Sequence, residues 1–350
     1  MQRDSLKLYS HKTLSGLISK RVGEIKIGER FHFINQFTSK KLSQSKQQGV
    51  KFVLLGISED VGPRANNGKG GANLGFEAFI RTFINFQSNQ FFNGNECLLL
   101  GEILVNNETC NKSADFGEIE QFQAQVASLD NAVCTITQQI IAAGLEPIVI
   151  GGGHNNAFGL LSGLKSATKQ PAAAVNLDHH SDFRLKEGRH SGNGFSYAAA
   201  NGSLGYYHIL GLHQQKNTQT SLEQLQVFGA NWHSFQSIWI TQYIPLIKAL
   251  KEISQQLNNS ELPVALELDM DTISNMPASA MTCAGVPLLD AIKYVDYIAS
   301  HCDCHYLHLA EAAPSCDYYN IDAGMQIIGQ ALSELVLGYI NGRQRYAWKE

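Results

Sequence analysis

The stretch "AAAVNLDHHSDFR", residues 172–184, opens as a run of small and β-branched apolar residues and ends with two aspartates and two histidines within five positions. An apolar run without polar alternation is what a strand covered on both faces requires. Charged groups at the end of such a strand are costly unless something compensates them. Residues two apart on an extended chain project from one face, so Asp178, His180 and Asp182 can converge while His179 and Ser181 point the other way.

The same kind of run recurs along the chain, in "KFVLLGI" (51–57), "ECLLLGEI" (96–103), "EPIVIGG" (146–152), "YYHILGL" (206–212), "LPVALELD" (262–269) and "CHYLHLAE" (304–311). Helical patterns lie between them, clearest at 118–144, 241–257, 288–300 and 322–340. Strands lacking a polar face and alternating with amphipathic helices predict a three-layer α/β/α fold with a central parallel sheet. The domain is expected to span residues 51–345. Residues 1–50, polar and rich in Lys, Ser and Gln, read as an N-terminal arm of uncertain order.

In such sheets functional residues gather beyond the carboxyl ends of the strands. Here the run at 146–152 leads into His154, the run at 172–178 into Asp178, His180 and Asp182, the run at 262–269 into Asp269 and Asp271, and the run at 304–311 into Glu311. Four carboxylates brought to one place repel one another and lose hydration, and no cluster of Lys or Arg accompanies them. Divalent cations resolve that conflict. Two would balance four carboxylates, and a set of mostly oxygen donors with two imidazoles suits Mn²⁺ better than a thiolate-preferring ion. A solvated turn at "DHHSD" and a helix-entry role for His154 are the plainer readings of each motif alone.

Composition excludes other classes. A net charge of −4 with 17% charged residues leaves no basic stripe for nucleic acid, and no apolar run reaches the roughly 20 residues of a membrane span. The seven cysteines, Cys97, Cys110, Cys134, Cys283, Cys302, Cys304 and Cys316, are odd in number and include no CxxC pair, which suggests reduced thiols in a cytoplasmic protein. The "CDC" at 302–304 reads as core. The expected partner is a small molecule, without nucleic acid or membrane, and the chain is expected to form a homo-oligomer.

"GGGH" (151–154), "NLDHHSD" (176–182), "LELDMD" (266–271) and "AEAAP" (310–314) occur in the order and spacing of the arginase, agmatinase and formimidoylglutamase family, which this chain resembles from about residue 50 to 340. "EDVGPRANNGKGGA" (59–72) is similar to that family's glycine-rich loop. The resemblance implies two manganese ions per chain and hydrolysis of a guanidino or formimidoyl C–N bond. It implies one ion held by His154, Asp178, Asp182 and Asp269 and the other by His180, Asp178, Asp269 and Asp271, with Asp178 and Asp269 bridging. It further implies that Glu311 pairs with the substrate cation and that His190, in "GRHSGN", moves protons to the leaving amine. A surface loop histidine is the alternative for His190.

Gly153 stands where arginases and agmatinases usually have Asp, and His179 where they usually have Ala. The glycine, with "NNGKGGA" and "HSGNGF", looks like formimidoylglutamases, and His179 is expected to pack. A substrate with a glutamate tail needs cations, for which Arg184, Arg189 and Asn193 are candidates. Solvated surface arginines are the alternative, and Lys69 stands where the family often has Arg. Hydrolysis of formimidoylglutamate to glutamate and formamide, in histidine degradation, is the expected function. Arginase or agmatinase activity is the alternative within the family, and a catalytically silent metal-binding interaction protein the alternative outside it.

Overall fold

The computed structural model describes residues 5–105 and 117–347; Cys110 lies outside the described residues. Nine strands form one sheet: β1 (Leu6–Leu8), β2 (Phe52–Ser58), β3 (Cys97–Leu104), β4 (Glu146–Ile150), β5 (Ala172–Leu177), β6 (Leu204–Leu212), β7 (Asn231–Ser234), β8 (Val264–Asp269) and β9 (Cys304–Ala310). Their spatial order is β1-β3-β2-β4-β9-β8-β5-β6-β7. All neighbours are parallel except β1, which runs antiparallel to β3 with Leu6 opposite Ile103. The expected parallel sheet is therefore mixed at one margin.

Alternation along the strands feeds two core layers. In β2, Phe52 and Leu54 face one layer while Val53, Leu55 and Ile57 face the other. The first layer is closed by the helices Gly75–Phe83, Leu246–Asn259, Leu288–His301 and Ile321–Ala347. The second is closed by Glu118–Ala142, Asn156–Thr168 and Gly194–Ala200. Burial on both faces explains why the central strands read as continuous apolar runs.

The first fifty residues lie along this body from Ser5 onward. Leu14, Ile27, Phe31, Leu42 and Val50 are buried in it, and Thr38 caps the helix Ser39–Gln47 by accepting from the Lys41 N–H. The helix expected at 241–257 begins only at Leu246, after Pro245, and a π-helical turn occupies Gln236–Ile240. Proline has no amide hydrogen for the preceding turn, so it serves as the cap instead. Among the described residues no helix is long and apolar enough to cross a membrane.

The four central strands, β4, β9, β8 and β5, are spatial neighbours, and their carboxyl ends carry the acids and histidines of the candidate site. Beside β4 the next strand outward, β2, comes earlier in the chain, whereas beside β5 the next strand outward, β6, comes later. The site thus sits where the winding of the sheet reverses, the usual crevice of such folds.

Candidate active site

Each central strand hands over its polar residues through a short irregular turn. After β4 the backbone turns left-handed at Gly151 (φ +90°) and Gly152 (φ +70°), which glycine tolerates and other residues resist. Gly153 has no room for a side chain: a Cβ there would lie 2.4 Å from Asn155 Oδ1 and from Pro63 Cδ. Any side chain there would force Asn155 and Pro63 to shift. Glu59, buried just past β2, holds this turn: its Oε1 accepts from the Gly153 N–H (2.6 Å) and Asn156 Nδ2 (2.7 Å) while Oε2 accepts from the Gly62 N–H (3.0 Å).

Past β5, Asp178 Oδ1 accepts from the His180 N–H (2.7 Å), and Asp182 adopts a left-handed backbone (φ 45°). Past β8, Asp269 Oδ1 accepts from the Asp271 N–H (2.8 Å) and caps the turn Met270–Thr272. Glu311, past β9, is also left-handed (φ 66°), and its Oε1 accepts from the His154 N–H at 2.9 Å. Two non-glycine residues held in a costly backbone region at one site are a mark of a functional constraint.

These turns gather two donor sets. His154 Nδ1 lies 3.5 Å from Asp178 Oδ2, 3.0 Å from Asp182 Oδ2 and 3.2 Å from Asp269 Oδ2. His180 Nδ1 lies 3.5 Å from Asp178 Oδ1 and 3.4 Å from Asp271 Oδ2. Within each set, one donor atom per residue lies within 4.8 Å of the others. Asp178 belongs to both sets. Asp269 joins the first only, and its Oδ1 accepts from the Asp271 N–H.

The electrostatics favour positive charge among the aspartates. Burial, with Asp271 and Asp178 beside it, pushes the Asp269 carboxyl well up, and burial with Asp178 raises Asp182 to about 6. Burial also opposes ionisation of Asp178, but His154 and His180 hold its carboxyl below the usual range. Among the described residues the ion-pair partners of these four aspartates are histidines, with no Lys or Arg. An imidazole lone pair facing three carboxylates is repulsive, so either His154 carries a second proton or a metal stands among them. Oxygen-rich sets with one imidazole each fit hard or borderline divalent ions. No metal-capable group among the described residues includes a cysteine, and Cys304 is buried at the opposite end of β9.

Around the centre, Glu311 is buried and its carboxyl is pushed up to about 8 by burial and the nearby aspartates Asp271 and Asp182. His190 is buried, and its Nδ1 accepts from the Gly192 N–H (3.1 Å), so Nε2 bears the proton and lies 3.4 Å from Glu187 Oε1. Burial and Arg184 lower its pKa to about 4, which keeps the ring neutral near pH 7. Arg184, with 47% of its side chain exposed, donates to Asn66 Oδ1 (2.6 Å) and Glu187 Oε1 (2.7 Å).

Arg189 is placed differently from the expectation of a substrate-binding cation. Only 6% of its side chain is exposed, and it donates to both oxygens of Asp130 (2.8 and 2.9 Å), to Asn193 Oδ1 and to the Asn155 carbonyl, between the rings of Phe158 and Tyr197. Asn193 is likewise spent on the loop, its amide donating to the Leu185 and Gly188 carbonyls. His179 packs as expected, its ring 4.6 Å from that of Phe235, with Nδ1 3.1 Å from Lys216 Nζ. The sequence reading passed over Glu59, Glu187, Glu267 and His308. The last two were visible as charge and imidazole inside "VALELD" and "YLHLA", runs whose apolar neighbours mark them as buried.

Known proteins agree with this architecture. A formimidoylglutamase of Klebsiella pneumoniae (strain 342) is 29% identical over 274 residues, 76% of this chain and 79% of that one. The crystal structure of the Bacillus subtilis formimidoylglutamase shares the fold at a TM-score of 0.73 and 15% identity, over 94% of this chain and 95% of that one. That of the Trypanosoma cruzi formiminoglutamase with Mn²⁺ does so at 0.66 and 17%, over 90% and 98%. The profile of the arginase family matches residues 50–333. The chain belongs to the arginase family, hydrolases of the C–N bonds of linear amidines.

Proposed function

We propose that the chain is a two-manganese hydrolase that converts N-formimidoyl-L-glutamate and water to L-glutamate and formamide. The observation that carries the metal part is the pair of buried donor sets joined at Asp178. His154, Asp178, Asp182 and Asp269 would hold one ion, and Asp178, His180 and Asp271 the other. Mn²⁺ bound there would supply Lewis acidity and a water acidic enough to act as the nucleophile near neutral pH.

The chain's own residues do the rest. Glu311 has one oxygen fixed by the His154 N–H, which leaves the second to accept from the amidinium of the substrate. An arriving cation lowers the raised Glu311 pKa, so binding and ionisation reinforce each other. His190, oriented by Gly192 and flanked by Glu187, would carry the proton released by the attacking water to the departing amine, passing through the imidazolium and returning to the neutral ring.

The substrate tail rests on the relatives named formimidoylglutamase, on Gly153, and on Arg184. With Arg189 and Asn193 committed to the loop, Arg184 is the accessible guanidinium two residues past Asp182, suited to grip a carboxylate. On this reading the reaction belongs to histidine degradation in the cytoplasm, a reducing setting that the buried thiols Cys97 and Cys304 support. Homo-oligomeric assembly is part of the same reading, and light scattering measures it. The test of substrate compares kcat/KM for formimidoylglutamate, arginine and agmatine with manganese-loaded protein. Formimidoylglutamate is expected to lead with release of formamide; a higher value for either guanidino compound overturns the assignment.

A further inference from the structure

One step back along the strands, beneath the donor sets, lies a second row of polar side chains. Asn176 of β5, Glu267 of β8 and His308 of β9 are register neighbours across three adjacent strands, and all three are fully buried. Buried polar groups in an otherwise apolar sheet are retained with their hydrogen bonds or not at all. Asn176 Nδ2 donates to Asp178 Oδ2 at 3.0 Å. Glu267 Oε1 accepts from the Tyr306 hydroxyl at 2.5 Å, and Oε2 pairs with His308 Nδ1 at 2.6 Å. A carboxylate only accepts, so His308 carries its proton on Nδ1.

The same Glu267 Oε2 lies 3.4 Å from His154 Nε2, while the opposite nitrogen of that ring faces Asp178, Asp182 and Asp269. One imidazole thus stands between a carboxylate on one side and the first donor set on the other. A neutral imidazole has one proton and one lone pair, and a carboxylate at Nε2 draws the proton there, turning the Nδ1 lone pair to the donor set. Gly153 has no side chain to steady the neighbouring His154, and Glu267 lies at the Nε2 edge of its ring.

We infer that Glu267, clamped by His308 and Tyr306, is a positioning residue that fixes the tautomer and ring direction of His154 for the first cation. The inference rests on the two-cation reading above. His154, Glu267 and His308 also form a group with metal-ligand atoms close together. The 2.6 Å contact between Glu267 and His308 is a hydrogen bond, with no space for an ion between the two atoms.

The test uses full-length wild type, Glu267→Gln, His308→Asn and Tyr306→Phe. Mn²⁺ binding is followed by equilibrium dialysis with elemental analysis and by the electron paramagnetic resonance of bound Mn²⁺, and kcat and KM are measured at saturating Mn²⁺. Wild type should bind two ions. Glu267→Gln should bind one of them about 10–100-fold more weakly and the other unchanged, with an altered Mn²⁺ spectrum and a lower kcat at unchanged KM. Tyr306→Phe should show the same selective change at smaller size, and it carries the test together with His308→Asn if Glu267→Gln does not fold. Unchanged affinity for both ions, or equal weakening of both, in whichever variants fold overturns the inference. So does a third ion in wild type that His308→Asn loses. A wild type that binds fewer than two ions overturns the two-cation reading instead.

Discussion

β4 and β9 carry charge at both of their ends, and the two ends are built on opposite principles. At the amino ends, Arg343 donates to both oxygens of Glu146 (3.0 and 3.1 Å), to the Cys302 carbonyl (3.1 Å) and to Asp303 (3.4 Å), and Tyr339 also donates to Glu146. Every charge there finds its opposite within the chain. At the carboxyl ends, His154 and Glu311 join a set of aspartates whose ion-pair partners among the described residues are imidazoles. The first end is complete as folded; the second is complete only with cations. A buried cluster that the chain itself leaves unbalanced marks where a ligand belongs.

That contrast breaks most visibly at Asp178, the residue common to both donor sets. Asp178→Ala should lose both ions by elemental analysis and lower turnover by more than about three orders of magnitude. Full retention of both ions would remove the proposed centre. Next in size, Glu311→Gln should keep both ions while turnover falls by about two to three orders of magnitude, since it meets the substrate and not the metals.

Chelation should lower the melting temperature of wild type by several degrees, since bound ions stabilise only the folded chain. The stripped protein should also lose stability as pH rises. Asp182 is raised from 3.8 to about 6 and Glu311 from 4.5 to about 8, so their contribution is fully present below the unfolded values and is lost as pH climbs through the folded ones. The loaded protein should lack this slope, and a stripped protein that gains stability over that range contradicts the account. At the other end, Arg343→Leu should cost about 1–3 kcal/mol, equally with and without metal, in parallel thermal melts. Unequal costs would couple the two ends. Smallest of all, Arg184→Ala should raise KM for formimidoylglutamate about tenfold with kcat little changed. Arg189→Ala should instead destabilise the fold, because it leaves buried Asp130 without its partner.

The carboxyl end was legible in the sequence because its signal is local. Asp178, His180 and Asp182 alternate on one extended segment, and each strand announces its own end with an acid or a histidine. The amino end was not legible, since Glu146 and Arg343 are 197 residues apart and look like ordinary surface charge. Arg189 was misread for the same reason: its partner Asp130 lies 59 residues earlier, in the middle of a helix. Glu187 next to His190 and Glu59 next to Gly153 likewise depend on folds of the loop that no periodicity encodes. β1 is three residues long, too short to stand out, and it pairs with a strand nearly a hundred residues away.

That short strand has a practical consequence. Among the described residues β1 is the strand that covers the outer side of β3 beyond the single bridge of His32 to Leu98: Leu6, Lys7 and Leu8 meet Ile103, Glu102 and Gly101, and Lys7 and Tyr9 both bond to Glu102. A chain lacking residues 1–9 would keep the acidic crevice but strip this hem from the sheet. The bare backbone of β3 from Leu100 to Leu104 would then be an open template for strand-to-strand stacking between molecules. Such a chain should precipitate at concentrations where the full chain stays dispersed, so residues 6–9 govern how the protein is handled although they lie at the far edge of the sheet from its acidic crevice.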